Sequence, residues 1–107
     1  MSKRLAGFEE LVLLTVASLG AAAYGVTVQE RLEAETRAAI SIGAVYAVLD
    51  RLERKGFVRS WVGGATAERG GRRKRFFKAS ANGLAALREM DRIRASLWSP
   101  APFPSPA

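Results

Sequence analysis

The 107-residue chain contains no cysteine and no histidine. It therefore has no disulfides, none of the usual zinc ligand sets, no thiol nucleophile and none of the commonest general base of enzymes. Serines and threonines occur without an imidazole to activate them, and no pair of carboxylates is identified in an apolar setting. Neither catalysis nor a cofactor or metal site is expected. Prolines are absent until residues 99–107, S-P-A-P-F-P-S-P-A, where four occur; that stretch cannot continue a helix and reads as a disordered tail. There is no internal repeat. The one long uncharged run, residues 11–28, only just reaches the length of a membrane span. It holds Thr15, Ser18, Gly20, Gly25 and an alanine triplet, lacks a basic flank and breaks naturally at Gly20. With no charged n-region or cleavage site beside it, a buried helix and a turn account for it, and a cytoplasmic protein is expected.

Hydrophobic residues make up 49% of the chain and charged residues 25%, which fits one folded domain with a modest core. The net charge of +7 matters less than its placement. Between positions 51 and 78, ten basic side chains (Arg51, Arg54, Lys55, Arg59, Arg69, Arg72, Arg73, Lys74, Arg75 and Lys78) face two acidic ones, Glu53 and Glu68. The rest of the chain is nearly neutral. A localised positive field of this kind points to a polyanion.

Residues 41–56, S-I-G-A-V-Y-A-V-L-D-R-L-E-R-K-G, form the organising stretch. Ser41 suits a helix N-cap, Arg54 and Lys55 suit the negative helix end, and Gly56 suits a left-handed stop. Ile42, Val45, Leu49 and Leu52, widened by Val48, form a stripe for burial. The opposite face carries Gly43, Ala47, Asp50 and Arg54, with Ala44, Tyr46 and Arg51 at its margins. Small residues allow close backbone approach, and Tyr46 and the arginines supply donors, as in a recognition helix. Asp50 can accept from cytosine or orient an arginine, and Tyr46 can donate to phosphate or be half-buried.

The remaining elements follow in order. Residues 1–7 form a short arm that can fray or touch DNA. A helix over residues 8–19 lines Phe8, Leu11, Val12, Thr15 and Leu19 along one face, but Leu13, Leu14 and Val16 make its other faces apolar too, which suggests a second burial surface against another subunit. After a turn at 20–25, a helix runs from 26 or 27 to 36, with Thr27 and Glu30 at capping-box spacing and Gln29, Arg31, Glu33 and Glu35 outward. A short link then leads into the organising helix, giving a helix-turn-helix. Residues 57–62 and 72–79 alternate as strands around a glycine-rich loop at 63–71, a basic β-hairpin in which at least two of Trp61, Phe76 and Phe77 should pack on the helices. The loop lacks phosphate-loop spacing. Ser80 suits the cap of a last helix at 81–98, whose apolar stripe of Leu84, Leu87, Met90, Ile93 and Leu97 rotates, as fits packing on its own domain first and on a partner later.

The runs I-S-I-G-A-V-Y-A-V-L-D-R-L-E-R-K-G-F-V-R-S at 40–60 and E-R-G-G-R-R-K-R-F-F-K-A-S-A-N-G at 68–83, with A-Y-G-V at 23–26, closely resemble the PadR-like transcriptional regulators. The resemblance implies a mainly α fold with a small β-hairpin, a winged helix-turn-helix with N- and C-terminal dimerisation helices. It also implies a homodimer and, usually, repression. Carried over by position, the groove-facing residues are Ser41, Gly43, Ala44, Tyr46 and Ala47, with Ala47 where many members have proline, and the wing contacts are Arg72, Arg73 and Lys74. Asp50, Arg51, Arg54, Arg69 and Arg75 complete the DNA-binding set expected from the residues. Leu13, Leu14, Met90, Ile93, Leu97 and Trp98 are assigned to the dimer interface. The expected partner is double-stranded DNA with a pseudo-palindromic operator. The alternatives are a winged-helix protein-interaction module and a ligand-sensing regulator, with a small-molecule effector held between subunits beside Trp98.

Overall fold

The computed structural model describes Leu5 together with residues 7–63 and 73–98. Most of the expected arm, the hairpin loop and the proline-rich tail lie outside the described residues. Helix α1, Gly7–Leu19, starts with Glu9 and Glu10 in its first turn, where carboxylates favour the positive helix end. It stops at Gly20, whose φ of +59° belongs to the left-handed region, and a 3-10 turn, Gly20–Ala22, follows. The uncharged run is thereby split, and among the described residues no helix is long and apolar enough to cross a membrane.

Ala23 and Tyr24 are extended, not merely part of a turn. Ala23 accepts a hydrogen bond from the Phe77 N–H at 2.9 Å, and Tyr24 bridges antiparallel to Phe76. A strand of two residues has no alternation to read, so no sequence pattern signals it. Helix α2, Gly25–Thr36, begins earlier than Thr27 as a cap would require. Thr27 instead sits inside the first turn, where its hydroxyl accepts from the Tyr24 N–H at 3.0 Å and donates to the Ala22 carbonyl at 2.6 Å. Arg37, at φ 56°, ends the helix. Glu33 and Gln29, expected to face solvent, bind the connecting turn. The Glu33 carboxylate accepts from the Ile40 N–H, and the Gln29 amide donates to the Ile40 carbonyl, both at 2.8 Å.

Helix α3, Ile42–Arg54, is capped by Ser41, whose hydroxyl accepts from the Ala44 N–H at 3.0 Å. Gly56, at φ +81°, closes it. The Gly56 N–H reaches the Glu53 carbonyl and the Phe57 N–H reaches the Leu52 carbonyl, both at 2.9 Å, which satisfies two of the last acceptors of the helix. Val45, Val48, Leu49 and Leu52 are buried as expected, whereas Ile42 in the first turn is exposed.

Strands β1, Val58–Gly63, and β2, Lys74–Ala79, pair antiparallel in register from Val58 opposite Ala79 to Gly63 opposite Lys74. Of the three hairpin aromatics only Phe77 is fully buried. Phe76 lies on the outer side of the sheet, stacked on Trp61 at 6.0 Å and met edge-on by Tyr24 at 5.6 Å. Helix α4, Ala81–Trp98, is capped by Ser80, which accepts from the Gly83 N–H at 3.0 Å and donates to the Gly56 carbonyl at 2.6 Å. Gly83 lets this first turn lie against β1, since a Cβ there would fall 2.1 Å from the Phe57 carbonyl oxygen.

One core holds these elements together. Val12, Leu13 and Val16 of α1 meet Val28 and Leu32 of α2, the buried stripe of α3, Phe57, Val58, Phe77 and Leu87. Each such side chain stabilises the fold by roughly 1.5–3 kcal/mol through removal from water. Two helices joined by a fixed turn and followed by a hairpin make a winged helix-turn-helix, with α3 second in the pair and the hairpin as the wing.

Candidate nucleic-acid interface

The outer face of α3 is open and small. Ser41, Gly43, Ala44 and Ala47 are exposed, and a Cβ added at Gly43 would meet nothing within 4 Å. Positions 43, 47, 50 and 54 share this face by helical spacing. Arg54 is exposed at its C-terminal end and has no ion-pair partner among the described residues. Tyr46 is half-buried. Its ring packs against the core edge and so closely over Gly25 that a Cβ there would lie 2.3 Å from its hydroxyl oxygen.

Both flanks of this face are tied by charge. On one side Glu9 of α1, nearly fully buried, accepts from Arg51 Nε at 3.1 Å and from Lys55 Nζ at 2.7 Å. Arg51 is therefore turned toward α1, though half of its side chain stays exposed. On the other side Arg75 of β2 bonds Asp50 at 3.1 Å and Glu53 at 2.6 Å. Of the two roles open to Asp50, the structure favours orienting an arginine, and Arg75 spends a donor from each terminal nitrogen within the domain. The neighbouring Glu10 receives a two-pronged bond from Arg94 of α4, at 2.5 and 2.6 Å. Glu9 and Glu10 thus brace α3 and α4 from adjacent positions on α1. Two carboxylates opening an otherwise apolar helix were the signal that sequence reasoning passed over.

The wing carries the other cations. Arg73 and Lys74 are exposed, and Lys74 Nζ lies 4.3 Å above the Tyr24 ring and 3.3 Å from its hydroxyl. Arg69 and Arg72 lie outside the described residues. With Lys78 and Arg59, which stand opposite each other in the register, the described part of the hairpin presents an exposed basic surface on its outer side.

The model of the transcriptional regulator PadR-like family matches residues 13–89. The chain belongs to the PadR-like family of transcriptional regulators. Solved structures share the fold. A PadR-like transcription factor from Bacteroides fragilis superposes with a TM-score of 0.72 at 21% identity, over 84% of this chain and 82% of that one. RosR from H. salinarum superposes with a TM-score of 0.68 at 22% identity, over 94% and 84%. A PadR family transcription regulator from Clostridium difficile gives 0.65 at 16% identity, over 85% and 91%. No curated protein matches the sequence.

The PadR-like chain distributes its expected interface residues unevenly. Leu13 is wholly buried in the chain's own core, so it has no surface to offer a partner, and this assignment is corrected: α1 turns outward through Leu11 and Leu14. Those two leucines line an open groove of about 420 Å³ between α1 and α2, with Thr15, Ser18 and Leu32, and Arg31 and Glu35 at its rim. On α4, Met90 and Ile93 are half-buried, while Leu97 is 75% and Trp98 68% exposed.

Proposed function

We propose that this PadR-like regulator is a homodimeric, sequence-specific repressor that binds a pseudo-palindromic duplex operator. The observation that carries the reading is the open strip of Ser41, Gly43, Ala44 and Ala47 on α3, with the exposed cations Arg54 at the end of the same helix and Arg73 on the wing. A helix face without bulky side chains seats its backbone deep in a major groove about 12 Å wide, and the arginines then reach phosphates on either side. Tyr46 supplies a hydroxyl at the edge of that strip. The wing, through Arg69, Arg72, Arg73 and Lys74, provides affinity that is independent of sequence. Two copies join through the apolar surface of α1 and the exposed end of α4, so that their recognition helices enter successive major grooves.

Selection of bound duplexes from a random pool at fixed salt is the decisive experiment. The expected product is an inverted repeat whose half-sites lie about one helical turn, roughly 34 Å, apart. Replacing Arg72, Arg73 and Lys74 with alanine weakens binding to every sequence and lowers the salt slope by about 0.9 for each phosphate no longer neutralised. A pool without enrichment, or affinity indifferent to salt, overturns the reading.

A further inference from the structure

Arg75 sits inside the most basic run of the chain, yet its chemistry is unlike that of its neighbours. Along β2, Lys74, Phe76 and Lys78 share the outer side, whereas Arg75 shares the inner side with Phe77 and faces α3. One guanidinium nitrogen donates to Asp50 Oδ1 at 3.1 Å and the other to Glu53 Oε1 at 2.6 Å, with the guanidinium carbon 4.9 Å from the centre of the Phe77 ring. The second oxygen of Glu53 accepts from the Ser60 hydroxyl at 2.7 Å. A single turn of α3 therefore grips both strands of the wing, β2 through Arg75 and β1 through Ser60. The cross-strand neighbour of Arg75 is Val62, which is 59% exposed. At this level the hairpin has left the hydrophobic core, so these polar bonds hold it where apolar packing no longer does.

We propose that Arg75, Asp50 and Glu53 form a strut that sets the angle between wing and recognition helix, which makes Arg75 a positioning residue for operator discrimination and not a phosphate ligand. The inference rests on the reading that α3 and the wing bind duplex DNA together. Three arguments support it. The guanidinium lies between two carboxylates, so the trio carries a net charge of −1 and adds nothing to the attraction for phosphate. The planar fork reaches two acceptors on one helix at once, which an ammonium on a flexible stem does not reproduce. All three groups are a third or more exposed, so the trio contributes little to overall stability, and its effect falls on the geometry of the wing.

The test compares Arg75→Lys and Asp50→Asn with the unmodified protein, measuring affinity for the selected operator and for random duplex over a range of salt. In Arg75→Lys, which keeps the charge, the operator-to-random ratio falls by roughly tenfold, about the loss of one charged hydrogen bond, while the salt slope stays unchanged. Asp50→Asn sharpens the contrast. Removing a negative charge beside DNA would tighten operator and random binding alike by charge alone, whereas loss of the strut weakens operator binding while random binding holds or tightens. Amide 15N relaxation at residues 74–76, without DNA, gives an independent readout: ordered in the unmodified protein and more mobile in both variants. A wild-type operator-to-random ratio in Arg75→Lys, equal tightening in Asp50→Asn, or unchanged amide order in the variants overturns the strut. If the unmodified protein itself has no preferred duplex, the DNA-binding reading fails, and the relaxation data alone decide whether the strut exists.

Discussion

Gly25→Ala tests whether the placement of Tyr46 matters for DNA binding. Gly25 opens α2 and lies directly under the Tyr46 ring, where a new Cβ would stand 2.3 Å from Oη, 2.4 Å from Cζ and 2.8 Å from Cε2. Non-bonded carbon atoms settle at about 3.5–4.0 Å, so the ring has to retreat by roughly 1 Å. The clash is with the far end of a side chain that is only half-buried, and at its distance from Cα such a shift is a small swing. Departures of about 30° from a rotamer cost about 0.5–1.5 kcal/mol, and this one is smaller. The fold should therefore tolerate the change, with a melting temperature within a few degrees of the unmodified protein, as about 1 kcal/mol corresponds to roughly 4–8 °C in a domain of this size. Operator affinity, by contrast, should fall by roughly tenfold, because a groove-edge hydroxyl displaced by 1 Å loses a hydrogen bond of about 1 kcal/mol or more. Thermal melting by circular dichroism and titration of a labelled operator give the two numbers. Random duplex serves as the control and should be affected far less. If operator affinity is unchanged while the ring is displaced, Tyr46 has no part in recognition. If the protein melts far lower, the ring is locked and the argument about its freedom is wrong.

Gly83→Ala sets helix propensity against packing. Alanine is worth about 1 kcal/mol over glycine within a helix, but its Cβ would stand 2.1 Å from the Phe57 carbonyl oxygen, which is backbone and cannot swing aside. Net destabilisation of about 1–3 kcal/mol is expected from chemical denaturation, and a stabilised variant would refute the close approach. At the C-terminal end of α3, replacing Arg51 and Lys55 together with alanine removes two cations from the nearly buried Glu9 carboxylate. A loss of about 3 kcal/mol is expected, partly recovered by adding Glu9→Gln, and additive, small effects in that series would show that the pair contributes little. Arg51→Ala alone should cost less than about 1 kcal/mol, since that side chain is half exposed and Lys55 remains.

Local punctuation was legible in the sequence. The caps at Ser41 and Ser80 and the left-handed stop at Gly56 depend on hydrogen bonds between residues a few positions apart, and the structure has them where the residue types indicate. The buried stripe of α3 and the alternation of the hairpin were legible for the same reason, because periodicity is a property of neighbouring positions. The PadR-like fold follows from that order of elements. Less legible was the edge formed by Ala23 and Tyr24, whose partner lies some fifty residues further along the chain.

Which charged groups are paired was a matter for the tertiary structure. From sequence, Arg51, Arg54, Arg73 and Arg75 are equivalent cations in a basic stretch. Folding brings Glu9 within 2.7 Å of Lys55 across 46 positions and Glu10 within 2.5 Å of Arg94 across 84, and it sets Arg75 between two carboxylates of α3. The same holds for Leu13 and Leu14, adjacent and chemically identical, one wholly buried and the other half exposed. Composition and spacing determined that this chain has one basic, helix-led surface. The pairing of its charges, and hence which of them stay available to phosphate, was decided only when distant segments came together, since a charge carries no record in sequence of the partner it will meet.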